Sequence, residues 1–286
     1  MKVNFIKMNS QGNDFIIIDN TIDAQPITLS QIKKISSRDN IGCDQLLMLD
    51  IKDPQNVTCR IFNQDGSEAY QCGNGMRAIM FFLNKYYKYV EASIIVKGIK
   101  YLASIDNQNN IKINMGKPEF IKSKIISDLP KTSIEKLETG YMFRQGDFSF
   151  SYSPVRLGNF HCVVFSDDCY SEKEHIAKIL YTYYKDEPNI SFILNYKKFY
   201  QKNDSHIRLK VKERGSGWTR SCGSGASATA SLVIKNSFFF GDLINEVIIE
   251  QDGGKLTIKW INNPRKGEDL YLIGPTTFEY EGVWND

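Results

Sequence analysis

The sequence predicts an α/β (α+β) protein made of two similar halves, each a sheet-rich unit around one central helix. Three observations lead there. Landmarks recur in the same order about 150 residues apart, the signature of a duplication. They are Gly12-Asn13-Asp14-Phe15 with Gly158-Asn159-Phe160-His161, and Asp44-Gln45-Leu46-Leu47 with Asn189-Ile190-Ser191-Phe192. Then come Cys72-Gly73-Asn74-Gly75 with Cys222-Gly223-Ser224-Gly225, and the stretch Gly98 to Gly116 with Gly253 to Gly274. Second, short alternating strands dominate, separated by Gly, Asn and Asp clusters. Third, a helical stretch follows each C-G-x-G.

In chain order, Phe15–Asp19, Thr58–Phe62, Ser93–Val96 and Ile111–Met115 read as strands of the first half. His206–Val211, Val247–Glu250 and Leu256–Trp260 read as strands of the second. Met76–Tyr87 and Ala226–Asn236 read as the helices. The second helix opens Ala226-Ser227-Ala228-Thr229-Ala230-Ser231, small on every side, so neighbours can approach it from all directions. That suits a helix wrapped by its own sheet. The repeat assigns 1–118 to the first half and 119–273 to the second. The tail 274–286 has no counterpart that begins a third unit, so it is expected to return to the first half.

With 286 residues, 42% of them hydrophobic, the chain has material for a sizeable core. The 36 Lys+Arg against 33 Asp+Glu leave +3, scattered rather than blocked, which argues against a dedicated nucleic-acid binder. Met1 to Ser10 carries no apolar leader stretch, and Phe15–Ile18 and Phe238–Phe240 fall far short of the ~18–20 residues that cross a bilayer. A cytoplasmic location is therefore expected, with no membrane partner. The six cysteines show neither C-x-x-C pairs nor zinc-type spacing, so reduced thiols and no metal are expected.

Cys43, Cys59, Cys162 and Cys169 read as small buried hydrophobes. Cys72 and Cys222 do not. Each stands just before glycines at a helix start, among unsatisfied N–H groups and the positive end of the helix dipole. Such a setting is expected to pull a thiol below its free pKa of about 8.5 and to favour thiolate. The same amides form a cradle for a carboxylate. Two such arrangements related by duplication suggest a pair of acid/base thiols serving one carbon, one taking a proton from one face and the other supplying a proton to the opposite face. Converging N–H groups would take up enolate charge. No Walker lysine, zinc set or pyridoxal context is present, so the chemistry reads as cofactor-free. The segments also fit a G-x-G-x-x-A pattern, with Glu91 and Asp242 near where a ribose-binding acid belongs. A dinucleotide loop, however, follows a buried strand, and polar residues precede both segments here.

At these motifs the chain closely resembles the diaminopimelate epimerase family. The likeness runs nearly end to end and includes Phe62-Asn63-Gln64-Asp65-Gly66-Ser67-Glu68 and Glu213-Arg214-Gly215-Ser216-Gly217 beside the segments above. The resemblance implies two domains of one fold, each a mixed, mostly antiparallel sheet around a central helix, with the site in the cleft between them and a homodimer. It implies interconversion of LL- and meso-diaminopimelate by Cys72 and Cys222, with His161 and Glu213 tuning proton affinity. It further implies substrate contacts from Asn13, Gln45, Asn63, Gly73, Asn74, Asn159, Asn189, Glu213, Arg214, Gly223 and Ser224, and a dimer-forming role for Tyr280. Arg214 would supply a planar fork for the distal carboxylate.

Two departures stand out. Phe160 replaces a common proline beside His161, and Trp218 replaces a common Glu, where it is expected to reshape the cleft near Cys222. Rival readings are a related racemase of another amino acid, or a binding protein whose two thiols sense redox state.

Overall fold

The computed structural model describes residues 2–21, 26–69, 71–121, 134–165, 169–184, 186–202, 205–237, 244–260 and 269–286. The chain separates into two compact units, 1–114 with 272–286, and 115–271.

The first unit begins with β1 (Lys2–Ser10) and β2 (Asn13–Asp19), then α1 (Leu29–Ser36), β3 (Gln45–Asp53), β4 (Asn56–Asn63) and the short β5 (Glu68–Ala69). It continues through α2 (Gly73–Tyr87), β6 (Glu91–Val96), β7 (Ile99–Ile105) and β8 (Ile111–Gly116). β1 and β2 are antiparallel, β2 and β3 parallel, and β3 and β4 antiparallel. β4 then takes β5 antiparallel and β6 parallel, and β6 and β7 are antiparallel.

The second unit holds β9 (Glu119–Phe120), β10 (Ile134–Lys136), β11 (Tyr141–Gln145), β12 (Phe148–Leu157), β13 (Asn159–Val164) and α3 (Lys173–Tyr183). There follow β14 (Asn189–Ile193), α4 (Tyr196–Tyr200), β15 (Ile207–Glu213), β16 (Gly217–Thr219), α5 (Gly223–Ser237), β17 (Glu246–Gln251) and β18 (Gly254–Trp260). β19 (Leu270–Gly274) leads the chain back to the first unit, where β20 (Thr277–Asn285) pairs antiparallel with β1. From β12 to β18 the pairings run antiparallel, parallel, antiparallel, antiparallel, parallel, antiparallel. The same order runs from β1 to β7. The duplication read from the landmarks is a duplication of topology.

Strand alternation sorts each sheet into two faces. In the first unit Ile16, Ile18, Leu46 and Phe62 pack with Ile32 and Ile35 of α1. Thr28 caps that helix in a capping box with Gln31, which satisfies its first amides. The opposite face, with Phe15 and Leu47, carries α2, which touches β1, β2, β3, β6 and β7 and so sits inside the curl of the sheet. In the second unit Cys162, Val164, Ile190 and Phe192 pack with Ile176 and Leu180 of α3. The other face carries α5, which touches β12, β13, β14, β17 and β18.

Both inner helices begin three residues before the stretches read from sequence, at the glycine that follows each cysteine. Glycine lowers helix propensity but does not forbid the first turn, where caps and packing decide. No described helix is long and apolar enough to cross a membrane.

Candidate active site

In the first unit a two-residue turn, Gln11 (φ 61) and Gly12 (φ 88), joins β1 to β2. Positive φ at both positions matches the twist of a tight hairpin, which glycine accepts freely. The turn delivers Asn13 at the first position of β2. Parallel pairing sets Phe15 opposite Gln45, and antiparallel pairing sets Gln45 opposite Asn63. The Gln45 amide donates to Asn63 Oδ1 at 3.0 Å.

Cys72, in extended backbone at φ −148, caps α2: its carbonyl accepts from Met76 N–H at 2.9 Å and its sulfur from Gly75 N–H at 3.2 Å. A side chain at Gly75 would press on Leu47 at 3.3 Å and Phe15 at 3.4 Å, so the spacing C-G-x-G reflects close seating of the helix on the sheet. The Cys72 thiol faces Asn13 Oδ1 at 3.9 Å, and Asn74 Nδ2 donates to the same oxygen at 3.3 Å. Asn13, Gln45, Asn63, Cys72, Gly73 and Asn74 thus share the α2 face at the ends of three strands and one helix. Behind them Arg77, wholly buried on α2, donates from Nε to Pro275 O at 3.3 Å and from Nη2 to Gln11 Oε1 at 3.2 Å.

The second unit repeats the frame with different chemistry. Gly158 (φ 68) makes the turn, Asn159 opens β13, and His161 lies opposite Asn189 in the parallel pair. This register makes Asn189 the counterpart of Gln45, one residue from the Asp44 match suggested by the landmarks. The counterpart of Asn63 is Glu213. Cys222 caps α5, with its carbonyl accepting from Ala226 N–H at 3.0 Å and its sulfur from Gly225 N–H at 3.3 Å. A side chain at Gly225 would meet Cys222 Sγ and Val211 at 3.2 Å and Ser191 at 3.3 Å.

Ser224 Oγ lies 3.6 Å from the sulfur, and the Cys222 N–H donates to Gln251 Oε1 at 2.8 Å. Glu213, which accepts from Thr219 Oγ1 at 2.6 Å, also hydrogen-bonds Cys222. Asn189 Oδ1 accepts from Arg214 N–H at 2.8 Å, while the Arg214 guanidinium donates to Asp186 at 3.1 Å. Tyr280 belongs to neither group; it lies on β20, exposed, with its ring edge-on to Phe5.

The expected thiolate does not hold at Cys222. Burial raises this thiol well above its ordinary value, the Glu213 charge pushes the same way, and the opposing hydrogen bonds from Gly225 and Ser224 are outweighed. His161 is also fully buried; burial pushes its imidazole down to about 3, and neither ring nitrogen has a hydrogen-bond partner among the described residues. It is neutral across the physiological range. Cys72 is only half-buried.

The two departures point away from Cys222. Trp218 pairs with Lys212, donates from its indole to Glu174 of α3 at 2.7 Å, and packs on Tyr170 and Phe192. Its neighbour Thr219 faces Glu213 instead. Phe160 joins the aromatic layer under α3, edge-on to Tyr184. Both therefore occupy the α3 face of the sheet, which corrects the expectation that Trp218 reshapes the cysteine side. Gln251, the cap on Cys222, escaped the sequence reading because nothing local marks it. Among the described residues no His, Cys, Asp and Glu groups are arranged to hold a metal ion.

Similar folds occur in solved structures. A phenazine biosynthesis protein of the PhzF family from Bacillus anthracis is 14% identical over 100% of both chains, with a TM-score of 0.66. A hydroxyproline epimerase from Agrobacterium vitis, with trans-4-hydroxy-L-proline bound, is 10% identical over 99% of this chain and 92% of its own, with a TM-score of 0.60. Methylitaconate-delta-isomerase is 12% identical over 99% and 95%, with a TM-score of 0.61. At such identities the likeness is one of fold. The family model described as diaminopimelate epimerase matches residues 5–121 and 154–279, both halves of the duplication. With that match across both cysteine-capped helices, the chain belongs to the diaminopimelate epimerase family and is an isomerase of the epimerase and racemase kind.

Proposed function

We propose that the protein interconverts LL- and meso-diaminopimelate by proton transfer between two thiols and one α-carbon, a step toward lysine and peptidoglycan precursors. The observation that carries this reading is the pair of cysteines at equivalent topological positions, each capping a 15-residue helix and each accepting a Gly N–H on sulfur. Two equivalent acid/base groups suit inversion at carbon, because the proton leaves by one face and arrives by the other.

Cys222, held protonated by burial and by Glu213, is the donor in the free enzyme. Cys72, half-buried and among amides, is the base for that direction. The reverse direction exchanges their roles. The N–H groups at the two helix starts bind the reacting-end carboxylate and take up charge as the enolate forms.

Asn13, Asn63, Asn74, Asn159 and Asn189 bind the ammonium and carboxylate ends, and Arg214 takes the distal carboxylate. His161, neutral, serves as a hydrogen-bonding group rather than a cation. The protein acts as a homodimer through the β20 face that bears Tyr280.

The test is incubation of the reduced protein with LL-diaminopimelate in heavy water. Deuterium should enter the α-position as the meso isomer accumulates, and a single-ended amino acid such as proline should not exchange. Exchange with proline and none with diaminopimelate would assign the site to a related racemase. No exchange with any amino acid would leave the thiols to a redox role.

A further inference from the structure

The charged residues beside Asn13 have no part in the chemistry above, yet they decide which way Asn13 faces. Asp44 Oδ2 accepts from Asn13 Nδ2 at 2.9 Å and from Asp14 N–H at 3.0 Å. Its other oxygen accepts from Arg38 Nη2 at 2.6 Å. Arg38 also grips Asp14 with both terminal nitrogens, at 2.6 and 2.9 Å, and Lys7 Nζ pairs with Asp14 at 2.6 Å. An ionised carboxylate can only accept, so the end of the Asn13 amide that meets Asp44 must be its NH2. The other end, the carbonyl oxygen, is then turned onto the Cys72 thiol and Asn74 Nδ2.

We propose that Asp44, clamped by Arg38, is a positioning residue for Cys72: it locks the Asn13 amide so that an acceptor, not a donor, faces the sulfur. This rests on the reading of Cys72 as an acid/base group. An acceptor stabilises S–H, whereas the Gly75 N–H on the other side stabilises S−. With the amide turned the other way the sulfur would meet a second donor, so the locked orientation leaves Cys72 the stronger base toward a weakly acidic α-proton.

Burial alone would disfavour a charged Asp14, but the hydrogen bonds and charges of Arg38 and Lys7 outweigh it and hold the carboxyl far below the usual range. Asp14 therefore stays ionised and keeps Arg38 in place beside Asp44. The first and second halves differ here. The landmark Asp14-Phe15 has Phe160-His161 as its counterpart, so no acidic residue stands in the place of Asp14 beside Asn159.

The experiment is a pH series of iodoacetamide labelling of the full-length reduced protein, with peptide mapping of Cys72 and with Cys222 as internal reference. The wild type is compared with Asp44→Ala, Arg38→Ala, Asn13→Ala and the Asn13→Ala/Asp44→Ala double variant. Freed from Asp44, the Asn13 amide can rotate its NH2 onto sulfur. Asp44→Ala should then label Cys72 about five-fold faster near neutrality, the size of one hydrogen bond reversed. Arg38→Ala, at a half-exposed surface side chain, should move it the same way by less and keeps the test open if Asp44→Ala does not fold.

In the Asn13→Ala background the Asp44 change should have no further effect on Cys72. Equal acceleration with and without Asn13, or none in either background, overturns the proposal. The ascending limb of α-proton exchange with diaminopimelate should shift to lower pH in step with the labelling. Absence of exchange in the wild type would refute the epimerase reading, while the labelling cycle would still decide the role of Asp44.

Discussion

At Cys72 the sulfur is half-buried among the side-chain amides of Asn13 and Asn74, whereas at Cys222 it is buried against the Glu213 carboxylate. The frames beneath them are the same: strand pair, parallel neighbour, short antiparallel strand, cysteine cap, buried helix. The substitutions within that frame make the difference. Asn63 becomes Glu213, Phe15 becomes His161, and Arg77 on α2 is matched in the C-G-x-G alignment by Ser227 on α5. Duplication supplies two thiols with equivalent backbone settings. Divergence at a few side chains gives them different surroundings: side-chain amides at Cys72, full burial and a carboxylate at Cys222. The cap alone does not make a thiolate: a single Gly N–H on sulfur does not outweigh full burial beside a carboxylate.

The comparison can be broken most directly at the sulfurs. Cys72→Ala and Cys222→Ala should each lower epimerisation by at least ~10³-fold, within the range of lost acid/base groups. Cys59→Ala and Cys162→Ala, at wholly buried thiols, should cost stability and leave turnover of the folded fraction near normal. Residual turnover near wild type in either site variant would remove the two-thiol scheme.

Glu213→Gln tests the asymmetry itself. Without the carboxylate charge Cys222 should alkylate at lower pH than in the wild type, while the Cys72 profile stays in place. A shift at both cysteines would mean that the two sites are electrostatically one.

Gly225→Ala and Gly75→Ala should separate the two seats. The added methyl presses on the Cys222 sulfur itself in the second half but on Leu47 and Phe15 in the first. Each should cost ~1–3 kcal/mol of stability by overpacking. Only Gly225→Ala should also depress turnover of the folded protein strongly, read as kcat against melting temperature.

The smallest effect concerns His161. With a folded-state value near 3, its imidazole stays neutral while the unfolded chain binds a proton below about 6.5. Stability is therefore full above 6.5 and falls as pH drops through the window down to 3. At pH 5 the loss from this one group is about 2 kcal/mol. His161→Phe, the residue found at the equivalent place in the first half, should remove that part of the acid slope in urea titrations at pH 5 and 7. An unchanged slope would mean that the imidazole is not desolvated as described.

Much of this could be read along the chain because it is written in local patterns. The strands with clean alternation, such as Thr58–Phe62 and Leu256–Trp260, and the two helices after C-G-x-G depend on period and turn chemistry that any window displays. The repeated landmarks carry the duplication and the two cysteines for the same reason. α1 and α3 left weaker traces. Both are one-sided helices of 8 and 11 residues, and their existence depends on the sheet face they cover.

Three features were decided only by the fold. Register placed Asn189 opposite His161, the counterpart of Phe15, and so made Asn189 the counterpart of Gln45, a one-residue distinction that sequence spacing cannot make but pairing must. Alternation sent Trp218 and Phe160 to the α3 face although Trp218 is near Cys222 in sequence, because neighbouring strand residues point to opposite sides. Proton affinity was decided last, by burial and by partners distant along the chain. Charge interactions depend on distance and on water, and a list of residue types records neither.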